Sequence, residues 1–332
     1  MTGLNRKATH GSPLEKYLLA AAVFFISVSS LLFLQTHFSI AYSTISSVVL
    51  FIIGIYLLMQ SVRIWYLRIL FQTPKRSISC IEDEEWQSLV VKGDDGISIH
   101  AHAKWLDETA PLIFYLHGWS SNSSRSLNRC RDITGYHVLA MDLRGHGHAP
   151  DDPEFTAQKC AEDAAKLLDS IPRDKISSIS IHGHSLGSYI AIRLQSRFEG
   201  WWRQNLRCLV LESPMTDYNL ILKEYTPGIL VLLRPLIFRW MIKAWKKIHP
   251  EITLTGREDI KIPEWGRPEF PTLLIQAADD ERLGMSHYQL LSENIEHVKH
   301  ETHVIEGLRH SGDSIHEGRT KLMQDYLDRS LF

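Results

Sequence analysis

The segment "SISIHGHSLGSYIAI", residues 178–192, decides the fold because a strand pattern and a helix pattern meet in it at one serine. Isoleucine alternates with serine before this point, which is the two-residue period of a β-strand, and afterwards the apolar residues are spaced as one face of a helix. Gly183 and Gly187 flank Ser185, where a tight strand-to-helix turn brings backbones together. The pattern predicts an elbow that presents the Ser185 hydroxyl, and a plain glycine-rich loop is the alternative interpretation.

The composition excludes several classes of function. The chain has 332 residues, of which 44% are hydrophobic, and a net charge of −2. Because no basic excess is present to neutralise phosphates, we expect no nucleic-acid partner. The four cysteines lack the close pairs that a metal site or a small disulfide framework would show, so we expect free thiols. Because the sequence shows no cluster of ligand residues either, we expect no metal and no cofactor.

An N-terminal region without charged side chains carries two apolar runs. Residues 17–62 contain no Asp, Glu, Lys or Arg, and the runs begin at Tyr17 and Ile45. Each run with its flanks approaches the ~20 residues that cross a bilayer as a helix, which predicts a transmembrane helical hairpin. A buried soluble helix and, for the first run, a cleaved signal peptide are the alternatives.

Positive charges on both sides of this hairpin predict its orientation. Cations occur in the N-terminal tail, residues 1–16, and in the linker, residues 63–85, whereas the short loop between the two spans has none. Because positively charged flanks resist translocation, both ends of the hairpin should face the cytoplasm. We therefore expect a two-span membrane protein whose globular domain, residues 86–332, is cytoplasmic.

The region from residue 86 onward alternates between short apolar strands and helical stretches. A hairpin around "KGDDG" is followed by the strands "PLIFYLHG", "HVLAMD", "SISIHG", "CLVLES" and "TLLIQA". Helices between strands imply crossover connections. The sequence therefore predicts an α/β domain with a mostly parallel central sheet that is covered on both faces.

Three motifs in chain order resemble those of the α/β-hydrolase family. "YLHGWSSNS" at 115–123 looks like the oxyanion loop after the third strand, "MDLRGHGHA" at 141–149 like the turn after the fourth, and "GHSLG" at 183–187 like the nucleophile elbow after the fifth. The resemblance runs from residue 86 to the C-terminus. It implies the α/β-hydrolase fold, with a short helical lid at about residues 214–270, and serine hydrolase activity.

The resemblance also implies a Ser-His-Asp triad in which the acid and the histidine follow the serine along the chain. Ser185 is the nucleophile in this interpretation. In "TLLIQAADDERL" the family's glycine corresponds to Ala277, which makes Asp280 the acid. The departure from glycine leaves Asp279 as an alternative, and Glu212 in "LESP" is a remoter one because some hydrolases place the acid there.

The base of this triad is predicted to be His310. It follows a strand and a glycine in "THVIEGLRHSGD", as the resemblance requires, whereas His303 alternates within the strand itself. The backbone N–H groups of Trp119 and Leu186 are the expected oxyanion donors. The other nearby candidates for the base are His300, His303 and His316.

The lid region contains a basic amphipathic segment that permits two interpretations. Such a helix suits a membrane interface, but it also suits packing over the sheet with solvated lysines, and packing is favoured. The residues concerned are Arg239, Lys243, Lys246 and Lys247 on the basic face and Ile237, Trp240, Met241, Ile242 and Trp245 on the other.

Together these features predict a membrane-anchored hydrolase that cleaves lipid-like or other carboxylic esters through an acyl-enzyme intermediate. Amides, peptides and thioesters are alternative substrates because the same triad cleaves them. A membrane-tethered binding protein that keeps the fold without the chemistry is the alternative from a different class.

Overall fold

The computed structural model describes residues 13–34, 40–73, 86–311 and 315–332. Contacts between residues divide the chain into two compact units. The smaller unit comprises the described residues up to Gln72 together with Pro235–Ala244, and the larger unit comprises those in Thr73–Arg234 and Trp245–Phe332.

The smaller unit is built mainly from two long helices, α1 (Pro13–Leu34) and α2 (Ile40–Phe71). Mean hydropathy is 1.9 over Lys16–Phe33 and 2.2 over Thr44–Phe71, and only 11% and 17% of the residues in these stretches are buried. By length and composition, both helices are able to cross a membrane. Most of their apolar side chains are not enclosed by protein, which is unlike the core helix of a soluble domain.

Helix α2 extends further than the predicted hairpin, which ends at residue 62. It continues to Phe71 through Arg63 and Arg68. Arginine is a good helix former, and apolar or aromatic residues such as Trp65 surround both cations, so nothing in this stretch interrupts the helix. The predicted linker therefore begins as helix, and its residues 74–85 lie outside the described part of the chain.

The described residues of the larger unit form an eight-stranded sheet with the strand order β1-β2-β4-β3-β5-β6-β7-β8. The strands are β1 (Gln87–Lys92), β2 (Ser98–Lys104), β3 (Ala110–Leu116), β4 (His137–Asp142), β5 (Ile176–His184), β6 (Leu206–Glu212), β7 (Thr272–Ala277) and β8 (His300–Ile305). Strand β2 is antiparallel to β1 and β4, and all other neighbouring pairs are parallel. The prediction of a mostly parallel sheet is confirmed.

Helices connect the strands as crossovers. Those after residue 86 are α3 (Ser123–Cys130), α4 (Ala157–Ser170), α5 (Leu186–Arg197), α6 (Trp201–Asn205), α7 (Tyr218–Tyr225), α8 (Arg234–Ile248), α9 (Met285–Ser292) and α10 (Glu317–Leu331). Helices α3 and α10 contribute Leu127 and Leu327 to a core cluster with Ile113 of β3. Helix α5 contacts β3 and β5, and β3 is buried along its whole length, as expected of a strand between two helical layers.

The order of the parallel strands positions the candidate site. Strands β5, β6 and β7 are adjacent and parallel, so their carboxyl ends lie side by side at one edge of the sheet. Ser185 follows β5, Glu212 ends β6, and Asp280 lies three residues beyond the end of β7. Residues that are far apart in the sequence are thereby brought to one place.

The segment between β6 and β7 is helical, and one of its tryptophans, Trp245, is buried. Trp245 is 1% exposed, and its ring contacts those of Tyr218 and Trp265 at centroid distances of 5.3 Å and 5.8 Å. The interpretation that places Trp245 in a membrane interface is therefore wrong. The four cations of the basic face, Arg239, Lys243, Lys246 and Lys247, are exposed.

Candidate active site

The turn between β5 and α5 is the sharp elbow that the sequence predicts. Ser185 has a φ of 54° and a ψ of −117°, which is a strained backbone conformation for a residue with a side chain. A Cβ atom at Gly187 would overlap with the carbonyl of Leu116, and one at Gly183 would lie 2.5 Å from Ser188 Cα. Only glycine therefore fits at these two positions, and the hydroxyl of Ser185 is held beyond the end of the strand.

Ser185, His310 and Asp280 form a chain of hydrogen bonds. His310 Nε2 lies 3.0 Å from Ser185 Oγ, and His310 Nδ1 lies 2.8 Å from Asp280 Oδ2. Because a carboxylate only accepts, Nδ1–H donates to Asp280, which leaves Nε2 to accept the serine proton. All three residues are less than one tenth exposed. The arrangement is able to remove a proton from a serine hydroxyl in a site with little water.

The carboxylate of Asp280 is fixed by four donors. Its Oδ1 accepts from the backbone N–H groups of Arg282 and Leu283, each at 2.9 Å, and its Oδ2 accepts from Gln276 Nε2 at 3.0 Å as well as from His310. Burial alone would raise the pKa of Asp280, but the hydrogen bond and charge of His310 and the two backbone donors lower it to about 2. Asp280 is therefore ionised at neutral pH and oriented toward the imidazole.

The alternative acids occupy different environments. Asp279 is exposed, and Glu212 is fully buried against Arg129 and Arg319. Neither has a hydrogen bond to His310 in the part of the chain that the structure describes.

The competing histidines also lie apart from Ser185. His303 is within β8, His300 Nδ1 lies 2.9 Å from the carbonyl of Val298, and His316 caps α10 by accepting from the N–H of Arg319. The geometry thus brings together the predicted set of serine, acid and histidine.

A second histidine, His184, lies against the first. Its ring centroid is 5.1 Å from that of His310. Burial lowers the pKa of His184 well below its ordinary value, and the positive charges of Arg129 and His310 add to this effect. His184 therefore stays neutral and forms a wall beside the imidazole of His310.

The loop after β3 approaches the nucleophile closely. A Cβ atom at Gly118 would lie 3.0 Å from Ser185 Cβ, so only a short backbone separates the two segments. The next residue in this loop is Trp119, and Leu186 is the first residue of α5. Among the described residues, neither of these two backbone N–H groups donates to a protein acceptor. Both are available to an oxyanion beside Ser185.

Two buried histidines hold this loop in place. The backbone N–H of Leu143 donates to His117 Nε2 at 3.0 Å, and that of Ser120 donates to His146 Nε2 at 3.2 Å. Since both Nε2 atoms accept, the ring protons are on Nδ1. Burial lowers the pKa of His117, and it lowers that of His146 to about 3. The two rings are therefore neutral and serve the architecture of the loop.

Sequence reasoning missed the role of Arg129 and Arg319. Both arginines pair with Glu212. Because a glutamate at the end of a buried strand needs cationic partners, the position of Glu212 is the signal that could have led to these two residues. Arg129 precedes Glu212 by 83 residues and Arg319 follows it by 107, on helices α3 and α10. The sequence alone does not indicate which of its 36 cations reach this glutamate.

One group of residues in the described chain has side chains close enough to hold a metal ion. It consists of Glu162, His249 and Glu251. Both ring nitrogens of His249 already have protein partners, Thr156 Oγ1 at 2.6 Å and Glu251 Oε1 at 2.8 Å. The hydrogen bonds of this histidine are satisfied within the protein, so the group gives no reason to assign a metal.

A comparison with known families matches this chain to a family model. Residues 113–319 match the model described as "Alpha/beta hydrolase family". This region contains Ser185 and His310 and the strands between them.

Two curated proteins are similar in sequence to more than half of this chain. The chain is 27% identical over 195 residues to the lysophosphatidylserine lipase ABHD12 of Xenopus tropicalis, which covers 57% of this chain and 48% of the relative. It is 26% identical over 190 residues to the human protein ABHD12B, which covers 55% of this chain and 49% of the relative. The chain thus spans about half the length of these relatives.

Among solved structures, the Pyrococcus furiosus esterase Pf2001 is similar with a TM-score of 0.55 and 18% identity, over 78% of this chain and 99% of the esterase. At this level of identity the similarity shows the fold.

Proposed function

Given that the chain belongs to the α/β-hydrolase family, we propose that it is a membrane-anchored serine hydrolase that cleaves lipid-like carboxylic esters. The observation that carries this proposal is the hydrogen-bonded set of Ser185, His310 and Asp280 at the carboxyl edge of the sheet. The relative named as a lysophosphatidylserine lipase supports an ester of this kind.

In the first half of the reaction, Ser185 Oγ attacks the ester carbonyl while its proton passes to His310 Nε2. The negative charge that develops on the carbonyl oxygen is stabilised by the N–H groups of Trp119 and Leu186. Asp280 stabilises the imidazolium and keeps its orientation. His310 then gives the proton to the leaving alkoxide, so the alcohol departs and an acyl group remains on Ser185.

In the second half, water replaces the alcohol. His310 takes a proton from the water molecule, whose oxygen attacks the acyl carbon, and the same two N–H groups stabilise the second oxyanion. Collapse of this intermediate returns the proton to Ser185 Oγ and releases the carboxylic acid.

Membrane anchoring rests on helices α1 and α2. Both are long enough to span a bilayer, and cations flank the pair on each side, at Lys16 and at Arg63 and Arg68. We propose that both ends of this hairpin face the cytoplasm, which makes the hydrolase domain cytoplasmic. Such an anchor keeps the site close to esters that partition into the bilayer.

The first experiment tests the nucleophile. Detergent-solubilised protein is incubated with a fluorophosphonate probe, which reacts with an activated serine, and the labelled peptide is identified by mass spectrometry. We expect labelling at Ser185 and none in Ser185→Ala, whose melting temperature should stay close to that of the wild type. A labelled Ser185→Ala protein, or an unlabelled wild type, would refute the proposal and favour a binding protein.

The second experiment tests the substrate class. The wild type is assayed on p-nitrophenyl esters of increasing acyl length, beside matched thioesters and amides. We expect the highest kcat/KM for esters and a rise with acyl length. A preference for thioesters or amides would assign a different acyl donor to the same triad.

A further inference from the structure

The carboxylate of Glu212 lies at the centre of a buried ion cluster that the proposed reaction does not use. Arg129 Nη2 donates to its Oε1, and Arg319 donates to its Oε2 from Nε at 3.1 Å and from Nη2 at 2.6 Å. Burial alone would raise the pKa of Glu212, but the charges of the two arginines hold it well below its usual range. A carboxylate with no exposed surface is thus kept ionised by two cations.

The backbone of Glu212 also holds the nucleophile. The N–H of Ser185 donates to the carbonyl of Glu212 at 2.9 Å, and His184 is paired with Glu212 in the register of β5 and β6. The position of Glu212 is therefore linked to that of the serine by one backbone hydrogen bond.

The cluster reaches the base through Arg129. The same Nη2 atom of Arg129 that binds Glu212 also lies 3.4 Å from the carbonyl oxygen of Arg309 and donates to it. Arg309 directly precedes His310 in the chain. A fixed guanidinium thus connects the end of β6, which carries the Ser185 hydrogen bond, with the loop that carries the imidazole.

We propose that Arg129 is a positioning residue that holds the His310 loop in register with the Ser185 elbow, using Glu212 as its anchor. This inference rests on the proposed function of Ser185 and His310. Displacement of a reacting group by about 1 Å is able to lower turnover by about 100-fold, so even a small shift of this loop has a measurable effect.

Arg319 provides a matched control within the same cluster. It binds Glu212 as Arg129 does, but its remaining donor, Nη1, bonds to the carbonyl of Arg129 at 3.0 Å. Among the described residues, its side chain makes no hydrogen bond to Arg309 or His310. If kcat falls only because the ion cluster is weakened, it should fall in variants of both arginines. If it falls because the His310 loop is displaced, it should fall only in variants of Arg129.

The experiment compares R129K with R319K in the full-length chain in detergent. Lysine keeps the charge beside Glu212, but its ammonium is one bond closer to the backbone than Nη2 of arginine, so it does not reach both Glu212 and the carbonyl of Arg309. For R129K we expect kcat on a p-nitrophenyl ester to fall by about 10- to 100-fold, with KM changed by less than about twofold. For R319K we expect the melting temperature to fall at least as much as in R129K, with kcat within about threefold of the wild type.

Two results would overturn the proposal: equal kcat losses in both variants, or a kcat of R129K within twofold of the wild type. If R129K does not fold, the double variant R129M/E212Q removes one cation and one anion together and so preserves the net charge of the cluster. Its kcat should fall as in R129K, and an unchanged kcat would equally reject the inference.

A second readout separates this inference from the proposed function. We expect the proton between His310 Nδ1 and Asp280 to give a far-downfield NMR resonance in protein with labelled histidine. R129K should shift or broaden this resonance and R319K should leave it in place, whether or not the wild type hydrolyses the ester. An unlabelled wild-type Ser185 would reject the function, whereas an undisturbed resonance in R129K would reject the positioning role.

Discussion

The ends of β6 and β7 carry two carboxylates that look alike until their partners are compared. Glu212 and Asp280 are both less than one tenth exposed, and both have a pKa below the ordinary value. Asp280 accepts a hydrogen bond from the imidazole of His310, which takes up and releases a proton in the proposed reaction. Glu212 accepts hydrogen bonds from the guanidinium groups of Arg129 and Arg319, and His182 Nε2 lies 3.4 Å from its Oε2.

The difference shows that the partner sets the role of a buried carboxylate. An acid that orients an imidazole and stabilises the imidazolium supports proton transfer without being protonated itself, because the charge of its partner changes during the reaction. Glu212 contacts side chains that take no part in the proposed reaction, so its contribution is to the geometry of the fold. The following predictions separate the two roles.

The largest effect is expected from removing the imidazole that Asp280 faces. His310→Ala should lower kcat by about 10⁴-fold or more, because Ser185 then has no base. The measurement is steady-state hydrolysis of a p-nitrophenyl ester. His303→Ala, on β8, is the control and should retain most of the activity. The reverse ranking of the two variants would show that His303 is the base.

Replacement of the acid comes next. Asp280→Asn should reduce kcat by about 10³- to 10⁴-fold, since an amide cannot stabilise the imidazolium and favours the wrong tautomer. The melting temperature should change little, because the amide is nearly isosteric with the carboxylic group. Activity within tenfold of the wild type would remove Asp280 from the triad.

Glu212→Gln should have the opposite profile. It leaves two buried guanidinium groups without their counter-charge, which costs about 3 kcal/mol and corresponds to a fall of about 6–12 °C in melting temperature for a domain of this size. The kcat of the folded fraction should fall by no more than about tenfold. A loss as large as that of Asp280→Asn, with an unchanged melting temperature, would make Glu212 an acid of the reaction.

The smallest effect is expected at the neighbouring aspartate. Asp279→Asn should leave kcat/KM within about twofold of the wild type, because an exposed carboxylate without a bond to His310 contributes little to the site. Side-by-side assay with Asp280→Asn measures this. A loss above tenfold would exchange the assignments of the two residues.

The sequence predicted the parts of this site that depend on local chemistry. The period change around Ser185, the two flanking glycines and the order of motifs led to the sheet, the elbow and the set of three residues. The choice between Asp279 and Asp280 depends on how one loop turns after β7, and adjacent residues with the same side chain give no pattern that distinguishes them. Hydrogen bonds to backbone N–H groups orient Asp280 inward in the structure.

Features that depend on contacts between distant elements were beyond the sequence pattern. Arg129 and Arg319 lie on helices that look like ordinary amphipathic segments, and only the packing of α3 and α10 on the sheet brings them to Glu212. Trp245 was consistent with either lipid or core, with core favoured, since aromatic residues serve both. Its burial is decided by Tyr218 and Trp265, which the tertiary fold brings against it.

The cluster of Arg129, Glu212 and Arg319 also restricts the evolutionary history of this domain. Loss of Glu212 alone leaves two buried cations without their shared counter-charge, whereas joint replacement of the cluster by apolar residues of similar volume is often tolerated. Ancestral sequences that carry other residues here should therefore differ at several of these positions together. A change at Glu212 alone would give an unstable protein. Reconstructed ancestors that lack Glu212 should therefore carry compensating substitutions on α3 or α10.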